Sequence, residues 1–292
     1  VKIGTRSSAL ALAQAQTVAA TLGGAEVVAV KTSDGDVGDK ERFVRGVETA
    51  LLDGEVDVGV HSAKDMPGEL PDGLALVGVP GREDPSDVFV GAASSLSELG
   101  DGARIGTSSL RRRSQLLALR PGLEIAELRG NVDTRLGKLA VGEYDGIVLA
   151  GAGLARLGRE AEIRFRFPLD ELTPAPGQGS LALEARRDDA ETTAAAGRVT
   201  DRAALTELTA ERAATRSLGA SCDTPVGVCA RVEGSELSVR GYAGLAGGEE
   251  WVRDRIAGDP EQPAALGQAL AERMLAAGAR EILDRAGASR KT

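Results

Sequence analysis

Five short segments of this 292-residue chain hold side chains suited to gripping an anion. They read GTRSSALALAQA (4–15), HSAKDMP (61–67), GTSSLRRRSQL (106–116), LRGNVDTRLGKL (128–139) and AGLARLG (152–158). In each, a polar turn follows an apolar run and opens a helical pattern. A helix N-terminus offers unpaired backbone N–H groups and the positive end of the macrodipole. Arginine adds a planar fork that pairs both oxygens of a carboxylate and never loses its charge. Several such turns suit a ligand bearing many carboxylates.

In GTSSLRRR, Gly106 and Thr107 leave a strand, Ser108 or Ser109 caps a helix, and Leu110, Leu117 and Ser114 face inward. Arg111 and Arg112 then fall in the first helical turn, where positive charge opposes the macrodipole unless an anion sits there. Arg129-Gly130-Asn131 repeats the device, with Arg135 following; a plain surface loop fits that turn equally well. Arg6, in the turn after the first strand, repeats it again, with Ser7 or Ser8 as the cap. Anion-binding turns in two α/β units imply a cleft between them.

HSAKDMP sets Lys64 and Asp65 directly after an apolar strand. A carboxylate at a strand end can act as acid, base or ion-pairing group, while a Lys-Asp pair closing the turn before Pro67 is the plainer reading. His61 is the only histidine, so a packed strand residue is expected there and no metal site is. No nucleotide loop, zinc-hydrolase or serine-hydrolase motif occurs. Cys222 lies in a Gly-Ala-Ser loop that ends in Pro225 and is accessible on that ground. Cys229 falls inside a strand pattern and reads as buried and inert.

These turns need a scaffold, and the strand patterns supply it. Strands are expected at 1–5, 26–30, 56–60, 74–79, 104–106, 123–128 and 146–149, alternating with helices. That order predicts an α/β architecture with largely parallel sheets. GREDPSD (81–87) and TPAPGQGS (173–180) read as joints. A helix over 201–218, strands near 225–232, 236–243 and 249–256, and a helix over 264–277 predict a small α+β domain with an antiparallel sheet.

Composition sets limits. Hydrophobic residues make up 42% and charged ones 27%, ordinary for a globular protein. Aromatics at 2% leave the cores to Leu, Val, Ile and Ala. A net charge of −9 and a pI near 4.9 argue against a nucleic-acid partner. No run approaches the ~18 apolar residues of a membrane span. Two cysteines make no disulfide framework and no signal peptide is visible, so the cytoplasm is the expected compartment.

Taken with VDVGVHSAKDMP, GREDPSDVFV, YDGIVLAGAGLARLG, PAPGQGSLALE, ERAATRSLGASCDTPVG and GAREIL, in this order along nearly the whole chain, these segments resemble the porphobilinogen deaminase (hydroxymethylbilane synthase) family. The resemblance implies an α/β fold of two doubly wound lobes of the periplasmic-binding-protein kind plus a small C-terminal α+β domain with an antiparallel sheet. The limits it suggests are 1–80 with 179–198, then 85–174, then 202–292. It implies a monomer that joins porphobilinogen units head to tail on a dipyrromethane cofactor, releases ammonia, and frees the linear product by hydrolysis. The cofactor would hang from Cys222 by a thioether, and Asp65 would be the catalytic aspartate, stabilising an azafulvenium-type cation. Arg6, Ser8, Lys64, Thr107, Ser108, Ser109, Arg111, Arg112, Arg129, Gly130, Arg135 and Arg156 would bind cofactor or substrate carboxylates. One departure concerns TSDGDVGDKERF (32–43), several residues shorter than the family's usual loop; Lys40 would take the loop's lysine, and gating by that loop is in doubt. Rival readings are a solute-binding module, which needs no reactive cysteine, and a nucleic-acid binder, which the acidity opposes.

Overall fold

The computed structural model describes residues 1–30, 41–220 and 224–288. The first lobe opens with β1 (Lys2–Thr5), α1 (Ala9–Thr21), β2 (Glu26–Ala29), α2 (Glu41–Leu52), β3 (Val58–Ser62) and β4 (Leu74–Gly78). The second runs through β5 (Asp87–Gly91), β6 (Arg104–Gly106), α3 (Leu110–Leu119), β7 (Glu124–Ala126), α4 (Val132–Ala140), β8 (Gly146–Ala150), α5 (Gly151–Arg156) and β9 (Phe165–Arg166). The chain then returns to the first lobe as β10 (Leu181–Arg186) and α6 (Ala190–Arg198). The third unit comprises α7 (Arg202–Ser217), β11 (Val226–Glu233), β12 (Glu236–Gly244), β13 (Trp251–Gly258), α8 (Pro263–Met274) and α9 (Arg280–Ala288).

The strand orders are β2-β1-β3-β10-β4, β7-β6-β8-β5-β9 and β11-β12-β13. The two lobe sheets are mixed rather than largely parallel. β1 runs parallel to β2 and β3, and β6 to β7 and β8, but β10 is antiparallel to β3 and β4, and β5 to β8 and β9. The reason lies in where the joints enter. Leu181 starts β10 opposite Ser62, the last residue of β3; Asp87 starts β5 opposite Ala150, the last residue of β8. Both crossings thus arrive at the carboxyl ends of the parallel strands and must run back. Those ends are where open α/β sheets hold ligands.

Aliphatic side chains fill the lobes, as the scarcity of aromatics requires. Ile3, Val18, Val58 and Leu183 are buried in the first, and Ile105, Leu116, Val148 and Phe89 in the second, where Phe89 stacks on Phe165. Burying each such chain contributes about 1.5–3 kcal/mol. In the third unit α7 and α8 pack so closely that a Cβ on Gly267 would lie 2.1 Å from the Ala210 carbonyl oxygen. Only glycine fits there.

The two crossings are bonded to each other. Glu83 N–H donates to the Gly179 carbonyl at 3.2 Å, and Arg82 Nε and Nη2 donate to the Gln178 carbonyl at 3.0 and 2.9 Å. Arg82 Nη1 also meets Glu207 at 3.0 Å and Glu211 at 2.8 Å, both on α7. Burial alone would lower the Arg82 pKa, but Glu211 and Glu207 more than offset it and raise it. Glu211 in turn accepts the N–H of Gly177 at 2.5 Å and of Ala230 at 2.7 Å. One buried ion network therefore ties both crossings to the third unit.

Candidate active site

β3 delivers a short helical turn, Ala63–Asp65, to the cleft between the lobes. A cavity of about 640 Å³ opens beside it, lined by Lys64, Asp65, Ser109 and Arg111. Arg45 and Glu48 of α2, Arg212 of α7, and Ala220 and Thr224 of the third unit complete much of its wall. The turn is braced from behind by Gly177, whose φ of +73° suits glycine; a Cβ there would lie 2.8 Å from both Ala63 C and Lys64 N.

The GTSSLRRR turn forms as a capped helix start. Ser109 caps α3 by accepting the Arg112 N–H at 3.4 Å, and its own N–H donates to Thr107 Oγ1 at 3.2 Å. Ser108 is spent on the neighbouring strand end: its hydroxyl donates to the Leu128 carbonyl at 2.7 Å and accepts the Leu128 N–H at 3.2 Å. The inward face of α3 differs from the expected Leu110–Ser114–Leu117 stripe. Arg111, Arg112, Ser114, Gln115 and Leu116 are its buried residues.

Asp87, which the sequence reading missed, explains that polar face. It is fully buried at the start of β5. Arg112 pairs with it side-on, Nε at 3.0 Å and Nη2 at 2.7 Å from Oδ1, and gives Nη1 to the Val148 carbonyl at 3.0 Å. Arg111 reaches Asp87 Oδ2 and the Thr173 carbonyl through Nη1 alone, both at 2.7 Å. Burial would raise the Asp87 pKa, but the two guanidinium groups hold it well below the usual carboxylate range. Arg112 thus meets a protein carboxylate with the edge expected to meet a ligand. Arg111 keeps the opposite arrangement: its Nε is buried with no hydrogen-bond partner among the described residues, and it lines the cavity.

Asp65 lies within electrostatic reach of Arg6 and Arg135. Burial lowers the Arg6 pKa, with Asp65 opposing. Burial and then repulsion from Arg112 pull Arg135 down to about 10, again against Asp65. Arg135 Nε donates to the carbonyl of Gly130 at 2.8 Å, and Asn131 caps α4. Ser8 caps α1, accepting the Ala11 N–H at 3.3 Å. Arg156 gives Nη2 to the Gly179 carbonyl at 2.6 Å, on the crossing rather than on the cavity wall. Arg129 is exposed and paired with Glu127 at 2.7 Å. Lys40 and Cys222 lie outside the described residues. Cys229 is fully buried, and burial, reinforced by Glu211, pushes its thiol pKa up to about 12.

Besides Asp87, sequence reasoning passed over Arg45, Glu48 and Arg212. They stand on helix interiors, and only the packing of α2 and α7 around the cavity gives them a common ligand space. A cue existed for Asp87: an acidic residue opening the apolar strand DVFVG must find a partner or stay out of the core.

Two mixed α/β lobes meeting over a cavity lined by four basic and three acidic side chains, closed on one side by an α+β unit, define a two-lobed protein with an added domain. The chain belongs to the porphobilinogen deaminase family. The family model for the porphobilinogen deaminase dipyromethane cofactor binding domain matches residues 1–194, and that for its C-terminal domain matches 205–276. The porphobilinogen deaminase of Syntrophus aciditrophicus is 44% identical over 300 residues, covering 97% of this chain and 98% of its own. That of a Roseiflexus species is 46% identical (96% and 97% covered), and that of Thermus thermophilus 45% (97% and 98%). The periplasmic VFT2 domain of Bordetella pertussis BvgS aligns over 68% of this chain and 86% of that domain, at 16% identity and a TM-score of 0.41. So low a score carries no argument; the fold rests on the sheets themselves.

Proposed function

We propose that this chain is a working porphobilinogen deaminase of tetrapyrrole biosynthesis, a transferase that builds its product on dipyrromethane held at Cys222, and that it acts as a cytoplasmic monomer. The observation that carries the reading is the cavity itself. It places Arg111, with an orphaned buried donor, beside Lys64 and Asp65, and the chain neighbours Ala220 and Thr224 on either side of the Cys222 segment line the same space. A volume near 640 Å³ whose walls carry Arg45, Lys64, Arg111 and Arg212 fits linked pyrroles bearing acetate and propionate groups. Cys229, buried with a raised pKa, is the wrong thiol for a thioether.

When bound, the cofactor supplies the pyrrole carbon onto which rings are added. The protein's part is electrostatic. Arg111, Ser109 and Lys64 hold carboxylates of the bound rings, while Arg112, anchored on Asp87, fixes the start of α3 that presents them. Arg6 and Arg135, within electrostatic reach of Asp65, face substrate carboxylates. Asp65 accepts a pyrrole N–H and stabilises positive charge on the ring as the aminomethyl group leaves. Arg156 and Arg129 stand farther out, where a lengthening chain would reach.

Intact-mass measurement tests the attachment. The purified protein is expected to exceed its sequence mass by one dipyrromethane, Cys229→Ser to keep that adduct and Cys222→Ser to lose it. An adduct surviving in Cys222→Ser refutes the assignment. For Asp65→Asn, kcat is expected to fall about a hundredfold or more with KM little changed, as for loss of one preorganised electrostatic group. Near-normal turnover with weakened binding would make Asp65 a ground-state contact only.

A further inference from the structure

Behind the Lys64–Asp65 turn lies a second group of titratable side chains that the role given to Asp65 does not use. Glu48 of α2, 6% exposed, lines the cavity, and its Oε1 has no hydrogen-bond partner among the described residues. Glu184 of β10 is fully buried, with both carboxylate oxygens likewise unpartnered. His61 of β3, 5% exposed, sets Nε2 3.0 Å from Glu184 Oε2, an ion-pair distance whose angles make no hydrogen bond. Arg45, on α2 with Glu48, acts on Glu48, and Arg212 of α7 acts on Glu184; Lys64, Asp65, Glu69 and Arg111 are the other charged groups lining the cavity onto which Glu48 opens.

Glu48 is a buried carboxyl with an unpartnered oxygen, set in the field of a second buried carboxyl, Glu184. Burial disfavours an uncompensated charge, and an acid repelled by a neighbour resolves this by keeping a proton. Burial first, and then Glu184, raises the Glu48 pKa, while His61 and Arg45 oppose. Glu48 is the member of the group that opens on the cavity, and α2 packs against the turn that carries Asp65.

We propose that Glu48, backed by Glu184, is a buried proton-holding acid of the cleft that protonates the departing amino group. The inference rests on the porphobilinogen deaminase reading given above. The neutral aminomethyl nitrogen takes the Glu48 proton, the C–N bond then breaks with its electron pair staying on nitrogen, and ammonia leaves; the positive charge passes to the pyrrole and the O–H pair stays on Glu48 as a carboxylate. The proton shed by a pyrrole carbon as the new C–C bond closes then restores the acid, directly or through solvent. Asp65 stabilises the ring while Glu48 carries the proton, so the two acids have separate tasks.

The test uses the cofactor-loaded protein. Infrared difference titration is expected to show a buried protonated carboxyl at neutral pH that is absent from Glu48→Gln. The same variant should keep its dipyrromethane mass and lose about a hundredfold in kcat, with Glu48→Asp recovering part of it. Because the acid form is the active one, activity should fall as pH rises through the Glu48 pKa. Removing the repelling charge in Glu184→Gln lowers that pKa, so the alkaline limb of kcat moves to lower pH. If Glu48→Gln does not fold, that shift decides the matter. An absent carboxyl band, unchanged kcat in Glu48→Gln, or an unmoved limb in Glu184→Gln overturns the inference. An unmodified protein without adduct or turnover would sink the family activity instead.

Discussion

Asp87 makes two adjacent arginines unequal. Arg112 spends its side-on edge on this carboxylate, whereas Arg111 touches it with one nitrogen, leaves Nε without a partner among the described residues and lines the cavity. Arg111→Leu, which leaves both Arg112 contacts to Asp87 in place, should lose less stability and lack bound rings by intact mass. Arg112→Leu should be destabilised by about 3–5 kcal/mol, the cost of stripping a partner from a buried ion group, as read by urea unfolding. Equal stability of the two variants would show that Asp87 does not discriminate between them. The carboxylate also sets a pH dependence. Its folded pKa lies below the unfolded value of about 3.9, so its stabilisation is complete above that pH and fades as pH falls below it. Asp87→Asn, though less stable at pH 7, should lose less on acidification from pH 5 to 3. The arginine run was plain in the sequence, but its direction was not. Asp87 sits 24 residues before Arg111, and no local pattern says which of two neighbouring forks will find it.

At the scale of elements, strands and caps were legible because their causes are local. Ser8, Ser109 and Asn131 cap where a hydroxyl or amide follows a strand, and β6 runs Arg104–Gly106 as its apolar pattern requires. The antiparallel sense of β5 and β10 was not legible. It follows from the crossings entering at the cleft, a fact about two lobes that no window of sequence contains. The cavity wall from α2 and α7 was hidden for the same reason. The crossing also makes a prediction. Gly177→Ala puts a methyl group 2.8 Å from the backbone of Ala63 and Lys64, in a left-handed conformation that alone costs about 1–2 kcal/mol. The turn must shift, so kcat should drop about tenfold or more while the dipyrromethane mass, which depends on the far wall, is retained. Wild-type kcat in this variant would mean that Asp65 does not depend on that brace.

At the scale of the whole molecule, a net charge of −9 conceals a cavity whose wall sets four basic side chains among Glu48, Asp65 and Glu69. Arg45, Lys64, Arg111 and Arg212 share that space, and Arg6 and Arg135 lie within reach of Asp65 beside it. Burial lowers the pKa of Arg6, Arg135 and Arg212, so desolvation already works against their charge. A bound polycarboxylate relieves this strain, and each charge-assisted hydrogen bond it makes is worth about 1.5–3 kcal/mol. The cofactor should therefore act as a structural counter-ion as well as a primer. Cys222→Ser, which cannot carry it, is expected to melt at least about 5 °C below the loaded protein at low salt, given roughly 2–4 °C per kcal/mol for chains of this size. Salt screens like-charge repulsion, so the gap should narrow as ionic strength rises from ~0.01 M to ~1 M, where the Debye length falls from about 30 to about 3 Å. Differential scanning calorimetry of both proteins across that range decides it. A gap that ignores salt would assign the stabilisation to packing of the pyrrole rings, and no gap would mean the basic side chains of the wall are balanced without them.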